Sequence, residues 1–278
     1  MDRFEGRLGS PRAHFRLTDS TNARARSMAS AGAPHGTVVT AAEQSAGRGR
    51  QGRTWSAPAG RALLCSIVVR EPPRLLPLVA GVAVADVVES AVARVAVADV
   101  VESAVAGVAV GDVVESAVAG VVESPVASPA ASSGSGSRPD VAIKWPNDVL
   151  AGGLKVAGIL VEARLQDGWA VAGIGLNVAV APEDFPPDLR DRAGTLGLEP
   201  SAIEPTLGAL LRALERWLGA DVDSMLDAVR ARDALLGREV RWGGQKGVGA
   251  GIDGDGRLVV RTDAGEVRLD AGEVHLGG

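Results

Sequence analysis

Residues 143–164 read IKWPNDVLAGGLKVAGILVEAR, and this stretch decides the fold. A strand over residues 141–145 stops at Pro146, which has no N–H to give a sheet ladder, so Asn147 and Asp148 fall at the strand exit. In α/β proteins that is where carboxylates meet a ligand or Mg²⁺, although Asn and Asp are equally turn formers. After Gly152-Gly153 a second strand over residues 155–164 opens on Lys155, between Leu154 and the apolar pair Val156 and Ala157. A lysine there is either an edge residue or a charge held for a ligand.

Outward from this stretch the pattern stays mixed. Strands are expected at 14–18, 36–43, 62–69 and 169–178, and helices at 21–30 and about 75–93. Ser201 and Glu204 are spaced as a capping box ahead of the amphipathic TLGALLRALERWLGA, and a further helix is expected over about 224–236. Beyond Gly237, short alternating runs (239–242, 257–261, 266–269, 273–276) are separated by Gly and Asp turns, including DGDG at 253–256. They indicate a small β-barrel. The expected organisation is an N-terminal tail over 1–14, a catalytic domain over 15–236 and a barrel over 237–278. The length of 278 residues suits about two domains.

A 13-residue unit interrupts this plan. VAVADVVESAVA occupies 82–93 and again 95–106, VAVGDVVESAVA occupies 108–119, and a clipped VVESPVA follows from 121. Each unit places an Asp and a Glu three residues apart on an otherwise apolar helix. At about 100° per residue, successive copies rotate this stripe by roughly −140°, so several copies in one helix cannot share a buried face. The segment 94–139 is therefore read as tandem duplication, its extra copies poorly packed, ending in a Ser/Gly/Pro-rich tether at 125–139.

Hydrophobic residues at 46% and charged residues at 23% are ordinary globular usage. Cys65 is the single cysteine, which excludes a disulfide framework and a cysteine zinc site and fits a reducing cytoplasm. Residues 1–16 lack a signal-peptide pattern, and charges are expected to interrupt every apolar run before membrane-spanning length. The net charge of −5 argues against nucleic acid, yet the stretch 81–124 alone carries −6. Only three lysines remain beside many arginines: Lys144, Lys155 and Lys246. Such positions are candidates for a compact point charge.

Residues 44–61, QSAGRGRQGRTWSAPAGR, hold Arg48, Arg50, Arg53 and Arg61, and no acid stands between Glu43 and Glu71. Gly47, Gly49 and Gly52 let backbone N–H groups approach an anion while the arginines bind it, although a basic surface loop or an RNA-contacting arm has the same composition. The loop lacks the Gly-Lys-Ser/Thr of a P-loop. Asp19-Ser20-Thr21-Asn22 stands between a strand and a helix, as a helix cap or as a set of ligand-reading hydroxyls and amides. GIGLNV, 173–178, carries Asn177 on an apolar strand, where ligand or backbone satisfies it.

In order, DSTN, EQSAGRGRQGRTW, KWPNDV, LKVAGILVE and GIGLN closely resemble the biotin protein ligases, over about residues 15–278 apart from the repeats. The resemblance implies an α/β (α+β) fold: a mixed central sheet flanked by helices, of class II synthetase/biotin ligase type, with an SH3-like C-terminal barrel. It implies that biotin and MgATP give biotinyl-5′-AMP and pyrophosphate, after which a lysine of a biotin carboxyl carrier domain takes the biotin. By the same resemblance, Ser20, Thr21, Asn22, Gln44, Arg48, Gly49, Arg50 and Lys155 form the biotin-binding set. Arg48, Arg50, Trp55, Lys144, Asn147 and Asn177 form the ATP and adenylate set. Lys155, Arg50 and Asp148 are the catalytic candidates, with Asp148 also a candidate Mg²⁺ ligand. About fifteen residues before the core are too few for the helix-turn-helix domain of some members, so no DNA is expected, and a monomer or weak homodimer is. Two alternatives stay open: a lipoate or octanoyl ligase of the same fold, against which the GRGRQGRTW loop speaks, and a non-catalytic biotin or adenylate sensor disabled by the repeats.

Overall fold

The structure, a computed structural model, describes residues 8–105, 140–270, 272 and 274–276. The clipped repeat and the tether at 125–139 lie outside the described residues. Seven strands, β1 (Arg12–Phe15), β2 (Val38–Ala41), β3 (Ala62–Arg70), β4 (Val141–Lys144), β5 (Asp148–Ala151), β6 (Leu154–Arg164) and β7 (Trp169–Asn177), form one mixed sheet. Their spatial order is β1-β2-β3-β7-β6-β5-β4. β1 and β2 run parallel and the other neighbours antiparallel.

Strand alternation gives this sheet two faces. One face, including Cys65, Ile67, Ile159, Ala172, Ile174 and Leu176, belongs to the main core with α2 (Leu76–Val105), α3 (Ile203–Leu218) and α4 (Val222–Arg230). Cys65 is fully buried in it, and burial pushes its thiol up to about 12. The other face is shared. Val68, Trp169 and Val171 pack against Ala25 and Ala29 of α1 (Thr21–Ser30), and beyond them this face carries Ser66, Gly158, Gly173 and Gly175 with Leu64 and Leu160 beside them. The glycines hollow this part of the surface and leave room for a ligand.

The first repeat unit is the core copy. Val82, Ala83, Val84 and Ala85 are 0% exposed, as a helix apolar all round requires. Its acids meet the flanking helices: Asp86 accepts from Arg232 at 3.0 Å and from Trp217 Nε1 at 2.6 Å, and Glu89 accepts from Arg232 at 2.7 and 2.8 Å. Among the described side chains of α2, Ala91 is the last that is buried, and Ala93, Arg94 and Ala96 are exposed; the helix runs on to Val105. Residues Leu76–Ala96 are long and apolar enough to cross a membrane, with mean hydropathy 1.8, against the expectation that charges would interrupt such runs. With 67% of this stretch buried against protein, it is a core helix.

β1 begins at Arg12, inside the stretch read as a tail, and Leu8 is buried in the main core. The capping box does not form: α3 starts at Ile203 without a side-chain cap, because Glu204 takes both terminal nitrogens of Arg12 instead. α4 stops at Arg230, short of residue 236. After it, β8 (Glu239–Trp242), β9 (Gln245–Ile252), β10 (Leu258–Thr262), β11 (Gly265–Leu269) and β12 (His275–Leu276) form an antiparallel sheet in the order β11-β10-β9-β8-β12. β9, which holds three glycines, was not among the expected strands.

Candidate active site

The site lies over the glycine-rich end of the shared face, where Lys155 arrives through an irregularity in pairing. Along β5, Val149 faces Ala157 but Leu150 faces Lys155, so Val156 is an extra residue. This β-bulge sends both Val156 and Ala157 into the main core and leaves Lys155 and Gly158 on the ligand side. Lys155 Nζ lies 2.7 Å from Asp148 Oδ1 and 5.8 Å from the centroid of the Trp55 ring. The backbone of Lys155 is held by residues 192–194: its N–H donates to Arg192 O and its carbonyl accepts from Gly194 N, both at 2.8 Å.

Trp55 lies across the bare strands. A Cβ on Gly175 would stand 2.4 Å from Trp55 Cε2 and one on Gly158 would stand 3.0 Å from Cζ3, so only glycine admits the indole. Trp55 ends a hairpin formed by the GRGRQGRTW loop, in which Arg48 bridges Thr54, Gly49 N donates to Arg53 O at 2.7 Å and Gln51 and Gly52 turn the tip at positive φ. The tip is latched: Arg50 Nη1 donates to Asn147 Oδ1 at 3.0 Å, and Asn147 Nδ2 donates to Ile159 O at 3.0 Å.

Deeper in, the polar groups form a closed network. Gln44 Oε1 accepts from Thr21 N at 2.7 Å and Thr21 Oγ1 at 3.1 Å. Asn22 Nδ2 donates to Leu160 O at 3.2 Å and Glu162 Oε2 at 2.9 Å, and Asn22 Oδ1 accepts from the Ser66 hydroxyl at 2.6 Å. Both amide protons of Asn22 are thereby used within the protein. Ser20 occupies the N-cap position of α1 but makes no side-chain bond to the helix, which leaves its hydroxyl to the cavity.

These groups surround a cavity of about 130 Å³ that shares its hairpin wall with a groove of about 920 Å³. Its charged lining is Arg48, Arg50, Arg53, Lys144 and Lys155 against Asp148 alone. Burial holds the Lys144 ammonium below the usual lysine range; Asp148 opposes the shift, while Lys155, Arg53 and Arg192 add to it. Burial likewise lowers Arg50, against Asp148. A pocket that crowds cations favours a polyanion. Among the described residues that line it there is neither histidine nor cysteine.

Residues 14–178 match the biotin/lipoate A/B protein ligase family, and residues 235–277 match the biotin protein ligase C-terminal domain. The chain is 36% identical over 257 residues to the biotin–[acetyl-CoA-carboxylase] ligase of Mycobacterium tuberculosis, spanning 87% of this chain and 79% of that one. The chain belongs to the biotin protein ligase family. The corresponding ligase of Paracoccus denitrificans is 35% identical over 283 residues, 94% of this chain and 98% of that one. Among solved structures, the fold is shared with the biotin protein ligase from Aquifex aeolicus in complex with biotin and ATP, at a TM-score of 0.68 and 24% identity over 96% of this chain and 99% of that one.

Of the residues expected at the ligase site, Ser20, Thr21, Asn22, Gln44, Arg48, Gly49, Arg50, Trp55, Lys144, Asn147, Asp148 and Lys155 line this one cavity. Asn177 does not: it is buried, and its amide donates to Gly194 O at 2.9 Å, steadying the segment that holds the Lys155 backbone. Asp148 also fits poorly as a protein-held Mg²⁺ ligand. Its Oδ1 faces the Lys155 ammonium, and the described residues contain no cluster of three or more His, Cys, Asp or Glu side chains. Sequence reasoning missed Ser66, Gly158, Gly173 and Gly175. Glycines two apart on a strand, as in Gly173 and Gly175, are the signal that finds them, since they bare one face of it.

Proposed function

We infer that the protein activates biotin with MgATP to biotinyl-5′-AMP and pyrophosphate, and then transfers biotin to a lysine of the biotin carboxyl carrier domain of an acyl-CoA carboxylase. The observation that carries this reading is a lining of five cations and one carboxylate, in a chain of this family. Such a site brings two anions together. The biotin carboxylate attacks the α-phosphorus, forming the acyl–phosphate bond, and the bond to the β-phosphate oxygen breaks as pyrophosphate leaves. Lys155 neutralises charge between carboxylate and α-phosphate, and Arg50 covers the product from the hairpin. Mg²⁺ enters on the phosphates, which suit it better than this donor set.

In the second step the carrier ε-amine attacks the acyl carbon, AMP departs and the amine loses a proton. Asp148, beside Lys155, is the group placed to orient that amine. Ser20, Thr21, Gln44 and the Asn22–Ser66 pair form the biotin end, with Lys144, Asn147 and Trp55 at the nucleotide end. The protein is read as acting in the cytoplasm on carrier, biotin and ATP, without DNA, as a monomer or weak homodimer. The deciding experiment is ATP-dependent biotinylation of a purified carrier domain with pyrophosphate release followed in parallel. Lipoate preference, or biotin binding without pyrophosphate release, defeats the reading.

A further inference from the structure

The nucleotide end of the site is fastened to the C-terminal sheet, and the biotin end is not. Trp145, between Lys144 and the Pro146-Asn147-Asp148 turn, is 3% exposed, and its indole Nε1 donates to Gly256 O at 3.0 Å. That carbonyl belongs to the turn between β9 and β10, which Asp253 makes rigid: Oδ1 accepts from Asp255 N at 2.9 Å and Arg257 N at 3.0 Å, and Oδ2 accepts from Arg257 Nε at 2.8 Å. Gly256 sits at φ +76° against α2, where a Cβ would meet Leu75 Cδ2 at 2.7 Å and Leu78 Cδ1 at 3.0 Å. Leu75 and Leu78 therefore wedge the turn from below while Arg74 reaches Asp255 at 3.3 Å. By contrast, the bonds of Thr21, Asn22, Gln44 and Ser66 stay within α1, the central sheet and the loop after β2.

We propose that Trp145 is a positioning residue through which the 253–256 turn of the C-terminal sheet sets the nucleotide side of the site, fixing Lys144, Asn147 and Asp148 for ATP without acting on biotin. Loss of the indole N–H frees one side of a short turn whose neighbours carry the cations, while the biotin network keeps its bonds. This rests on the ligase reading above and adds to it a residue at the cavity wall whose indole N–H is turned to the C-terminal sheet.

The test uses the full-length protein, measuring biotin-dependent pyrophosphate release with each substrate varied in turn, alongside melting temperature. Trp145→Phe removes the donor and keeps an aromatic ring; KM for ATP is expected to rise about fivefold, with KM for biotin unchanged within about twofold. Asp253→Asn loosens the turn from the barrel side, far from any substrate, and is expected to give the same ATP-selective change. Joined to Trp145→Phe it should add little, because both act through one bond. Equal rises in both KM values, or a lower melting temperature with both KM values unchanged, overturn the proposal, and Asp253→Asn carries the test alone if Trp145→Phe does not fold. Absence of biotin-dependent pyrophosphate release in the wild-type protein instead sinks the ligase reading.

Discussion

The Lys155 ammonium lies 2.7 Å from the Asp148 carboxylate, and the remaining charged side chains lining the cavity are all cationic. The pair keeps a lysine oriented in a site otherwise crowded with like charge. On the proposed reading, an entering carboxylate and α-phosphate draw the ammonium from Asp148, which then becomes available to the second step. Lys155→Ala is expected to slow adenylate formation by about a thousandfold, the scale of a lost charge clamp in a dry site. Pyrophosphate release reads it, and a rate near wild type removes Lys155 from the mechanism. Asp148→Asn keeps the shape and removes the charge. Transfer from preformed biotinyl-AMP to the carrier is expected to fall about tenfold, an effect of general acid–base size or smaller; an unchanged transfer rate denies Asp148 its role with the incoming amine.

Arg50 latches the hairpin through Asn147 at 3.0 Å, so its removal should open the lid over the adenylate more than it harms chemistry. Arg50→Ala is expected to leak biotinyl-AMP about tenfold faster, by loss of one charge-assisted bond. Filter-bound retention of labelled adenylate measures this, and equal retention contradicts the lid.

The two strand glycines separate the ends of the site. Gly175→Ala drives a methyl into Trp55, and Gly173→Ala drives one to 1.9 Å from Asn22 Oδ1. Each overpacks at a cost of about 1–3 kcal/mol, but on different neighbours. The first is expected to weaken nucleotide binding and the second biotin binding, read by calorimetry with each ligand separately. Identical losses for both ligands in both variants would show that the glycines serve packing alone.

Much of this was legible in sequence because local patterns carried it: apolar runs marked the central strands, and the motif set marked twelve residues that line one cavity. What escaped is set by pairing between distant segments. Uninterrupted alternation along residues 155–164 puts Lys155 and Gly158 on opposite faces, and only the partner strand reveals Val156 as the extra residue that unites them. Asn177 was ambiguous for the same reason, since its partner, Gly194 O, lies on a loop with no periodic signal. The capping box at Ser201 and Glu204 failed because Arg12, from the far end of the sequence, claimed the carboxylate. Local spacing records what a helix start offers and not what a distant cation takes.

Ala91 is the last buried residue among the described side chains of α2, and the ion pairs of Asp86 and Glu89 with Arg232 use the first repeat unit. Removing residues 94–119, two whole units of 13, spares every one of those contacts. The shortened protein is expected to retain its biotinylation rate within about twofold and to be more soluble, as loss of Val-rich, aggregation-prone segments predicts. An inactive, unfolded product would make the extra copies part of the core. As a control, Asp86→Ala leaves Trp217 Nε1 without its acceptor and Arg232 with Glu89 alone, and is expected to cost about 1–2 kcal/mol of stability, the scale of a lost hydrogen bond to a charged group.

Asp233 gives the clearest pH test. It follows α4 on the way to the C-terminal sheet, accepts from Leu235 N through Oδ1 at 2.8 Å, and has no partner for Oδ2. Burial raises its carboxyl above the usual aspartate range, against the pull of the Leu235 and Leu236 amides. With the folded value above the unfolded one, the acid favours folding fully only at pH below the unfolded value, and this contribution is lost as pH rises through the folded value. Asp233→Asn keeps the Oδ1 acceptor and abolishes the charge, so its effect on melting temperature should become more favourable from pH 4 to pH 7.5. Paired thermal melts at the two pH values measure this difference, in which pH-independent costs of the amide cancel. A difference of zero or of opposite sign would mean that the carboxylate ionises in the folded protein as readily as it does in the unfolded chain.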